Sequence, residues 1–584
     1  MKNINLSQSG NCLRVWTLLV LLLAAAWGAR AQQPNFAVQL GGSAAETIND
    51  VALDARGNLY LTGQFRQTAT LSPGSQPLSS GSPTVTFSTG FVAKYSAAHQ
   101  IQWVRVFRCD GWSSSQAVAV DRRGRCYVAG VFAGDTLALG AAQLVSHDTS
   151  VVQAGDMFVT CLDSAGQYLW ATSGGGWMKD MPFDLVADDA GHCYVTGMFN
   201  LEAYFEQVRF YGFYSGVANG HQDPAFSLPS ASIGDLFLLK YDSLGHPLWG
   251  RCVINESIAW GIRLALDPSG DVLTQGMVSS LDLTTETGDS IHVAPTTAQN
   301  LLLRYSPAGL LRRAQLNGPG LDNQGAVGLA SNSYGTWQYV HFGPGQQLLG
   351  DGSTLTGTAG RRTAALVRLD SADNWLSAQP IQVPFIVATQ RLVTDAAGNL
   401  YGIGYFKDSL STGTLRLVSH GEDDGYLIAY SPQGVPLWGD VLGGNSYDDA
   451  GTGAGGRPGE VLVAGTFMTT MPLPASAGGP LTAVANSDAF AVLYPGPTLG
   501  GVAHSPAQLL GAWPNPAQSE LRFRVPAGAS GPALLLDALG REVRRGVAAE
   551  ARLPLAGVAP GVYALVIPLT SGRRLTQRIV ITAP

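Results

Sequence analysis

The sequence predicts an all-β protein built from a repeated hairpin, and two observations support that class. The composition combines 72 glycines with 46% hydrophobic, 9% aromatic and only 13% charged residues, which suits a chain with a large core and many tight turns. The segment 51–65 reads as strand, turn and strand, with Gly57-Asn58 between two apolar runs. Such a hairpin cannot bury its apolar face alone, so we expect copies of it to pack together.

The hairpin recurs along the chain, and a glycine marks the turn of each copy. Successive turn glycines lie between 61 (398 to 459) and 79 (191 to 270) residues apart. Most copies continue with a variable segment, an apolar strand and a strand that carries a tryptophan. Four strands per unit with so long a period predict a seven-bladed β-propeller over residues 32–494. The fifth copy, Ser331–Gly335, lacks the aspartate of the other turns, so a six-bladed ring stays open. The turn glycines are Gly57, Gly124, Gly191, Gly270, Gly335, Gly398 and Gly459.

The two ends of the array predict how the ring closes. The seventh unit stops after 490–494 without a tryptophan strand, whereas an isolated strand, 36–42, precedes the first unit. This strand ends in Gly-Gly, as does the last strand of the sixth unit at 441–444. We therefore expect residues 36–41 to lie beside 489–494 and to complete the seventh blade, because closure removes open sheet edges.

The repeat units also resemble a known family. They share the pattern D-x-x-G-N-x-Y-x-x-G-x-F, followed by D-x-F-x-x-K-Y and G-x-x-x-W, with the SBBP family of bacterial β-propeller repeats over roughly residues 36–494. That family carries no single activity, so the resemblance implies a fold and not a reaction.

Residues 1–31 have the pattern of a signal peptide. Lys2 and Arg14 precede an apolar run at 15–27, and Ala29-Arg30-Ala31 supplies a small-residue cleavage pattern. The alternative is a membrane anchor, but the run is shorter than the roughly 20 residues that span a bilayer. We expect a mature chain without a transmembrane segment.

A second module follows a Pro- and Gly-rich linker at 495–510. Residues 511–584 contain short apolar strands separated by turns, which predicts a small immunoglobulin-like β-sandwich. The module closely resembles the type A C-terminal sorting domain of the type IX secretion system, and this implies the secretion machinery as partner and export across the outer membrane, to the medium or the cell surface. The alternative is a carbohydrate-binding or immunoglobulin-like module. The resemblance rests on Trp513, Pro514, Asn515, Pro516, Gly540, Arg541, Gly561 and Tyr563.

Charge and motif content exclude several classes of function. The formal net charge is −7; residues 1–31 contribute +3 and 511–584 contribute +5, so 32–510 carry −15. An acidic body of this size argues against nucleic-acid binding. No spacing of cysteines or histidines predicts a metal site, and no phosphate- or dinucleotide-binding motif predicts a cofactor. The repeat aspartates are expected to cap their own turns, and Cys126 and Cys193 to be buried.

Charged residues at one repeat position form the first candidate site. Asp50, Asp184, Arg263 and Arg391 each lie four residues before the repeat aspartate, on the innermost strand of their blades. Charges on four such strands should meet at the mouth of the axial channel, where they could hold a ligand or supply a general acid. The alternative is that they pair with one another.

The variable segments between strands two and three, and between blades, form the second candidate site. The longest, 200–235, is rich in aromatic residues that include Tyr211 and Tyr214, which suits a platform for a sugar or a peptide. The alternative is a loop packed on itself. Trp177 and Asp180, at the junction before the third unit, join this site unless they serve as caps and packing.

Together these patterns favour an exported, non-catalytic binding or scaffold protein with a glycan or protein ligand. The alternative is an extracellular hydrolase or lyase that acts on polysaccharide at the channel mouth; a third class is a structural spacer. A hydrolase or lyase requires two poorly paired carboxylates in a deep pocket, whereas a binding protein predicts charges that neutralise one another.

Overall fold

A computed structural model shows two compact units, which divide between residues 497 and 498. Each unit is described by itself. The structure describes residues 32–42, 44, 46–73, 76–81, 87–147, 155–176, 179–200, 202–211, 234–253, 259–278, 281–284, 290–293, 299–317, 328–342, 345–357, 363–383, 387–496, 512–513, 517–523, 529, 532–536, 542–568 and 574–582.

The first unit contains, within its described residues, seven antiparallel sheets, each with four core strands that are taken in chain order except that β1 (Phe36–Gly42) is the fourth strand of the last sheet. We call these sheets blades 1 to 7. A hairpin inserted between the second and third strands accompanies each blade, and in blade 6 it is continuous with the long strands β33 and β34. The strands of blades 1 to 3, after β1 (Phe36–Gly42), are β2 (Thr47–Leu53), β3 (Leu59–Arg66), β4 (Thr68–Ser72), β5 (Gln76–Ser79), β6 (Ser88–Tyr95), β7 (Ile101–Cys109), β8 (Trp112–Val120), β9 (Cys126–Ala133), β10 (Thr136–Leu139), β11 (Ala142–Val145), β12 (Asp156–Leu162), β13 (Tyr168–Gly174), β14 (Met181–Ala187), β15 (Cys193–Phe199), β16 (Glu202–Phe205), β17 (Val208–Tyr211), β18 (Asp235–Tyr241) and β19 (Pro247–Val253).

Blades 4 to 7 continue the same strand order, and a 3₁₀ helix, Ala475–Ala477, lies in the insertion of blade 7. Their strands are β20 (Ala259–Leu266), β21 (Val272–Val278), β22 (Leu281–Thr284), β23 (Ser290–Val293), β24 (Gln299–Tyr305), β25 (Leu311–Asn317), β26 (Gly328–Asn332), β27 (Gly335–Phe342), β28 (Gly345–Leu348), β29 (Thr354–Gly357), β30 (Thr363–Leu369), β31 (Trp375–Ile381), β32 (Val387–Thr394), β33 (Leu400–Thr412), β34 (Leu415–Tyr430), β35 (Pro436–Leu442), β36 (Asp448–Gly455), β37 (Val461–Phe467), β38 (Thr470–Met471), β39 (Leu481–Thr482) and β40 (Asp488–Tyr494).

The first strands of the blades form a closed ring. Each contacts the first strand of the next blade, and β36 of blade 7 returns to contact β2 of blade 1. This arrangement of radial four-stranded sheets around an axis is a β-propeller, so the predicted fold class is confirmed.

Strand β1 completes blade 7. It pairs antiparallel with β40, with Phe36 opposite Leu493 and Leu40 opposite Ala489. Val38 is fully buried at the centre of the pairing, because both faces of the strand are covered. The first strand of the array is therefore the fourth strand of the last blade, as the two ends of the repeat predicted.

The Asp-x-x-Gly turn joins the first two strands of most blades. In blade 1, Asp54 Oδ1 accepts hydrogen bonds from the backbone N–H groups of Arg56 and Asn58, both at 2.9 Å. Gly57 has φ = +83°, a conformation that favours glycine. The aspartate thus satisfies the donors of its own turn, as expected, and the same pattern recurs in blades 2, 3, 4 and 6.

A tryptophan–glycine clasp joins successive blades at the same face. The indole N–H of Trp103 in blade 1 donates to the carbonyl of Ser164 in blade 2 at 3.1 Å. Gly166 lies flat on this indole, since a Cβ atom there would be 2.7 Å from the ring. Identical clasps join blade 2 to blade 3 and blade 3 to blade 4 through Trp170 with Gly245 and Trp249 with Gly309.

The junction of blades 4 and 5 replaces this clasp by an ionic one. Arg313 occupies the tryptophan position, because it lies opposite Arg304 as Trp249 lies opposite Lys240. Asp373, with φ = +59°, occupies the glycine position. Its buried carboxylate accepts two hydrogen bonds from Arg304, at 2.7 and 2.9 Å, and lies 3.6 Å from Arg313 Nε.

The inserted hairpins protect the outer edges of neighbouring blades. β4 of blade 1 pairs with β1, the outer strand of blade 7, and β10 of blade 2 pairs with β7 of blade 1. Single bridges extend the pattern, from Tyr204 of blade 3 to Gly175 and from Ser411 of blade 6 to Gln382. At these four junctions the hairpin of one blade therefore supplies backbone partners to the blade before it.

Cysteines of the first unit are free thiols in the part of the chain that the structure describes. Cys126, Cys161 and Cys193 are buried, as expected for the two that occupy the repeat position, while Cys109 and Cys252 are partly exposed. Burial raises the pKa of the Cys161 thiol to about 12. These side chains serve as small apolar packing groups.

The second unit contains, in its described residues, one three-stranded and one four-stranded sheet, ordered β41-β42-β45 and β44-β43-β46-β47. Both sheets contribute to one apolar cluster, with Leu521 and Phe523 from the first sheet and Leu565 and Ile579 from the second. A 3₁₀ helix, Ala548–Glu550, precedes β45. The strands are β41 (Ala512–Trp513), β42 (Glu520–Phe523), β43 (Pro532–Leu536), β44 (Glu542–Val547), β45 (Arg552–Pro554), β46 (Gly561–Pro568) and β47 (Arg574–Ile581).

Candidate functional site

The four predicted charges of the inner strands meet at the propeller axis. A register shift precedes this repeat position in six of the seven described inner strands, so that two residues of the inner strand oppose one of its neighbour. In blade 1 the extra residue is Asn49, between Ile48 and Asp50. In blade 5 the described part of the strand begins at this position, with Gly328. The charged side chains therefore follow a bulge at the level where the inner strands converge.

Arg391 of blade 6 is the centre of this cluster. Its Nη1 lies 2.9 Å from Asp184 Oδ1 of blade 3, and its Nη2 lies 3.6 Å from Asp50 Oδ1 of blade 1. Neither blade adjoins blade 6, so the guanidinium group crosses the axial channel. The two aspartates raise the pKa of Arg391 in spite of its burial.

The two aspartates are also held by backbone and hydroxyl donors. Asp50 accepts hydrogen bonds from Val118 N at 3.0 Å and from Thr452 Oγ1 at 2.7 Å. Asp184 accepts one from Leu264 N at 2.8 Å and one from Leu185 N at 3.1 Å. Each aspartate thus ties its strand to the bulge of the next blade. Each carboxylate therefore accepts two hydrogen bonds besides its contact with Arg391.

Arg263 lies beside this group, and no aspartate among the described residues contacts it directly. Its Nη2 donates to the carbonyl of Gln390 at 2.7 Å and its Nη1 to that of Ile262 at 2.9 Å. Burial, together with the charge of Arg391, lowers its pKa to about 10. The cluster therefore holds two cations and two anions, and burial raises the pKa of Asp50 while Arg391 opposes that effect. The charges neutralise one another, which was the alternative to a ligand site.

The aromatic insertion of blade 3 contributes to the core in its described part. Phe205 and Phe210 are buried, and Phe210 packs against Phe199 and Phe237 with ring centroids 5.3 and 6.4 Å apart. Tyr211 lies in β17, opposite Glu202, and only its backbone is described. Tyr214 lies outside the described residues. The described aromatic side chains thus correspond to a loop packed on itself.

Of the two predicted residues at the junction before blade 3, Asp180 lies in the described part of the chain and Trp177 does not. Asp180 is buried and accepts hydrogen bonds from the backbone N–H groups of Gly176 and Asn200, at 2.8 and 3.2 Å. Its carboxylate therefore caps the junction between blades 2 and 3. Trp177 lies outside the described residues.

A similar buried acid occurs at the junction that closes the ring. Glu46 is buried beside Gly42 and faces Asp488 at the start of β40. Burial, together with the charge of Asp488, raises the pKa of Glu46 to about 7 in spite of a backbone hydrogen bond from Ala44. The closing junction therefore holds a carboxyl group that titrates near neutrality.

The sorting motif of the second unit is described only in part. Tyr563 donates a hydrogen bond from its hydroxyl to the carbonyl of Ala559 at 2.8 Å, and Gly561 begins β46. Trp513 lies in β41 with only its backbone described. Pro514, Asn515, Pro516, Gly540 and Arg541 lie outside the described residues.

Sequence reasoning missed two functional features of the ring. Thr452, which binds Asp50, occupies the same repeat position in blade 7, but the degenerate turn of that blade conceals the alignment. The exchange of tryptophan and glycine for Arg313 and Asp373 was also missed. The signal was present, because blade 4 has Arg313 at the position where blades 1, 2, 3 and 6 have Trp103, Trp170, Trp249 and Trp438.

Among the described residues, no set of three or more histidine, cysteine or acidic side chains is placed to hold a metal ion. No helix in the described part of the chain has the length and apolar character needed to cross a membrane.

Comparison with known proteins gives similarity to solved structures alone. No family model matches the chain, and no curated protein matches it. The chain is similar to YCF48 bound to a D1 peptide (11% identity, TM-score 0.37, 80% of this chain and 97% of that one). It is also similar to a protein of unknown function from Dyadobacter fermentans DSM 18053 (11%, 0.34, 80% and 99%) and to U3-55K (8%, 0.36, 78% and 98%).

Proposed function

We propose that this chain is an exported, non-catalytic binding or scaffold protein. The observation that carries the proposal is the axial cluster, where Arg391 lies between Asp184 and Asp50 and both carboxylates accept further hydrogen bonds. A glycoside hydrolase or lyase needs carboxyl groups free to exchange protons with a substrate. Here they stabilise the contacts between blades, so the binding surface is sought elsewhere on the ring.

Export through the type IX secretion machinery is the second part of the proposal. It is supported by the resemblance of residues 511–584 to the type A sorting domain and by the signal-peptide pattern of residues 1–31. On this proposal the second unit addresses the propeller to the outer-membrane exporter, and the ligand is an extracellular glycan or protein.

Incubation of the purified chain with a panel of polysaccharides tests the first part, with new reducing ends and unsaturated ends as the readout. We expect no release of fragments from any of them. Release by the native chain that is lost in Asp50→Asn and Asp184→Asn, and retained in Asp54→Asn, would establish the hydrolase or lyase instead.

Truncation tests the second part. In a host with the secretion system, removal of residues 511–584 should leave the propeller in the periplasm, while the full chain reaches the surface or the medium. Equal surface levels of the full and truncated chains would contradict the assignment of the sorting module.

A further inference from the structure

Arg304 and Arg313 of the ionic clasp between blades 4 and 5 line a groove with a volume of about 690 Å³. The groove lies on the face of the Asp-x-x-Gly turns, opposite the variable face. Its walls come from three turns, at 267–271, 331–336 and 369–371, and from the outer strand β25. In blade 5 only Ser333 and Tyr334 separate the first strand from the second, whereas five residues, 54–58, separate them in blade 1. The repeat therefore departs from its pattern at this groove.

Arginines on the outer strand give the groove a cationic edge. The side chains of Arg312 and Arg313 are 57% and 41% exposed, and each is paired through Nε, with Asp271 at 3.3 Å and Asp373 at 3.6 Å. No other hydrogen bond or ion pair engages these two guanidinium groups among the described residues. Their terminal N–H groups are therefore free to bind an oxyanion, as planar guanidinium groups do in pairs.

The two acids that pair with Arg312 and Arg313 lie deeper than these arginines. Asp271 and Asp373 are buried, with side chains 7% and 2% exposed, and Arg304 also contacts both. Burial raises the pKa of Asp271 while Arg312 opposes this effect. Asp267 and Asp370 line the groove as well. Asp267 pairs with Arg304, and the half-buried Asp370 accepts hydrogen bonds from the backbone N–H groups of Ala372 and Asn374. The exposed arginines therefore share the rim with one carboxylate that caps its own turn.

The second wall is suited to a polyhydroxylated ligand. Tyr334 is 44% exposed, and its backbone carbonyl accepts a hydrogen bond from Arg368 Nη2 at 2.7 Å. The buried Arg368 Nε has no hydrogen-bond partner among the described residues. Ser331, Ser333 and Thr336, from the segment that includes Tyr334, also line the groove, as does Ser371 of the turn after β30. The hydroxyl groups of Ser331 and Thr336 lie 3.4 Å apart. These groups supply the donors and acceptors that sugar hydroxyls require, beside a ring on which a sugar can stack.

We infer that this groove binds an acidic sugar, a uronate residue of an oligosaccharide, whose carboxylate pairs with Arg312 and Arg313 while its ring lies against Tyr334. The inference rests on the proposed binding function and names the ligand class and the site. An acidic peptide would offer the carboxylate but not the cluster of ring hydroxyls that the serine and threonine wall complements.

Calorimetric titration of the full chain with a trimer of galacturonic acid tests the inference. We expect binding that weakens with added salt and is abolished for the fully methyl-esterified trimer. Arg312→Gln should lower the affinity about tenfold or more, as loss of a charged hydrogen bond does. Tyr334→Ala should lower it several-fold. The matched control is Arg122→Gln, which removes an arginine 80% exposed on a turn of blade 2, and it should bind as the native chain does.

Several results would contradict the assignment of the groove as a uronate site. Absence of binding, equal affinity in Arg312→Gln, or equal affinity for the methyl ester would each show that the groove is not a uronate site. Tighter binding of a hexamer of glutamate than of the trimer would make it a peptide site. Failure in these ways leaves the proposed binding function intact, whereas cleavage of the trimer would contradict that function instead.

Discussion

The ionic clasp between blades 4 and 5 makes a quantitative prediction about paired substitutions. Asp373→Gly removes a side chain only 2% exposed that Arg304 contacts at 2.7 Å. This should destabilise the chain by about 3 kcal/mol, since the buried Arg304 loses two hydrogen bonds and keeps only its pairing with Asp267 and Asp271. Arg313→Trp alone should cost about 2 kcal/mol. At the three other clasps a Cβ atom on the glycine would lie 2.6–2.7 Å from the indole, so the new tryptophan would collide with Asp373.

The double variant Arg313→Trp, Asp373→Gly rebuilds the clasp of the other blades. The indole would stack on the new glycine and donate to the carbonyl of Ser371, two residues before it, as Trp103 does to Ser164. We therefore expect the double variant to be more stable than the sum of the single effects by about 2 kcal/mol.

Urea unfolding, with equal m-values for all variants, measures the four free energies of the cycle. The control cycle combines Asp373→Gly with Arg122→Trp on blade 2, which should be additive. Additivity within about 0.5 kcal/mol in the test cycle would refute the view that Arg313 and Asp373 replace the tryptophan and glycine as a unit.

Three further predictions concern the axis, the closure and the dependence on pH. Asp184→Asn should lower the free energy of unfolding by about 3 kcal/mol, because Arg391 keeps only the longer contact to Asp50; an unchanged urea midpoint would contradict this. Val38→Asp should detach β1 and leave the edge of β40 open, so size-exclusion chromatography should show oligomers, whereas a monomer would argue against the latch. The pKa of Glu46 is raised from 4.5 to about 7, so the folded state binds this proton more tightly than the unfolded state does. The free energy of unfolding should therefore fall as pH rises from about 4.5 to 7. Glu46→Gln should reduce this loss by at most about 3 kcal/mol between pH 5 and 8, and an identical pH profile of the variant would contradict the prediction.

Local features of the ring were predictable because they depend on residues that are close in sequence. The Asp54 turn needs only an aspartate, a glycine and their spacing, and the role of β1 follows from a count of strands. The convergence of Asp50, Asp184 and Arg391 also follows from the repeat, because equivalent positions on inner strands lie at one level.

Contacts between blades were less predictable. Which aspartate binds Arg391 depends on side-chain reach across the axis. The contact of Thr452 with Asp50 depends on the packing of blade 7 against blade 1, which the degenerate turn of blade 7 does not indicate. The exchange at Arg313 and Asp373 joins two units 60 residues apart (313 to 373), and it has meaning only when the tryptophan–glycine contact of the other blades is known.

The latch strand also constrains the order in which the molecule can assemble. Gln39 donates a hydrogen bond to Asp488 across a sequence separation of 449 residues, among the longest in the structure. Strand β40, which pairs with β1, is the last segment of the array to leave a ribosome or a translocation pore. Strand β1 therefore remains unpaired with β40 until the rest of the array has emerged. The pairing of β1 with β40 therefore requires that the whole array has emerged. A prematurely terminated chain would keep two unpaired strand edges that cellular quality control can recognise.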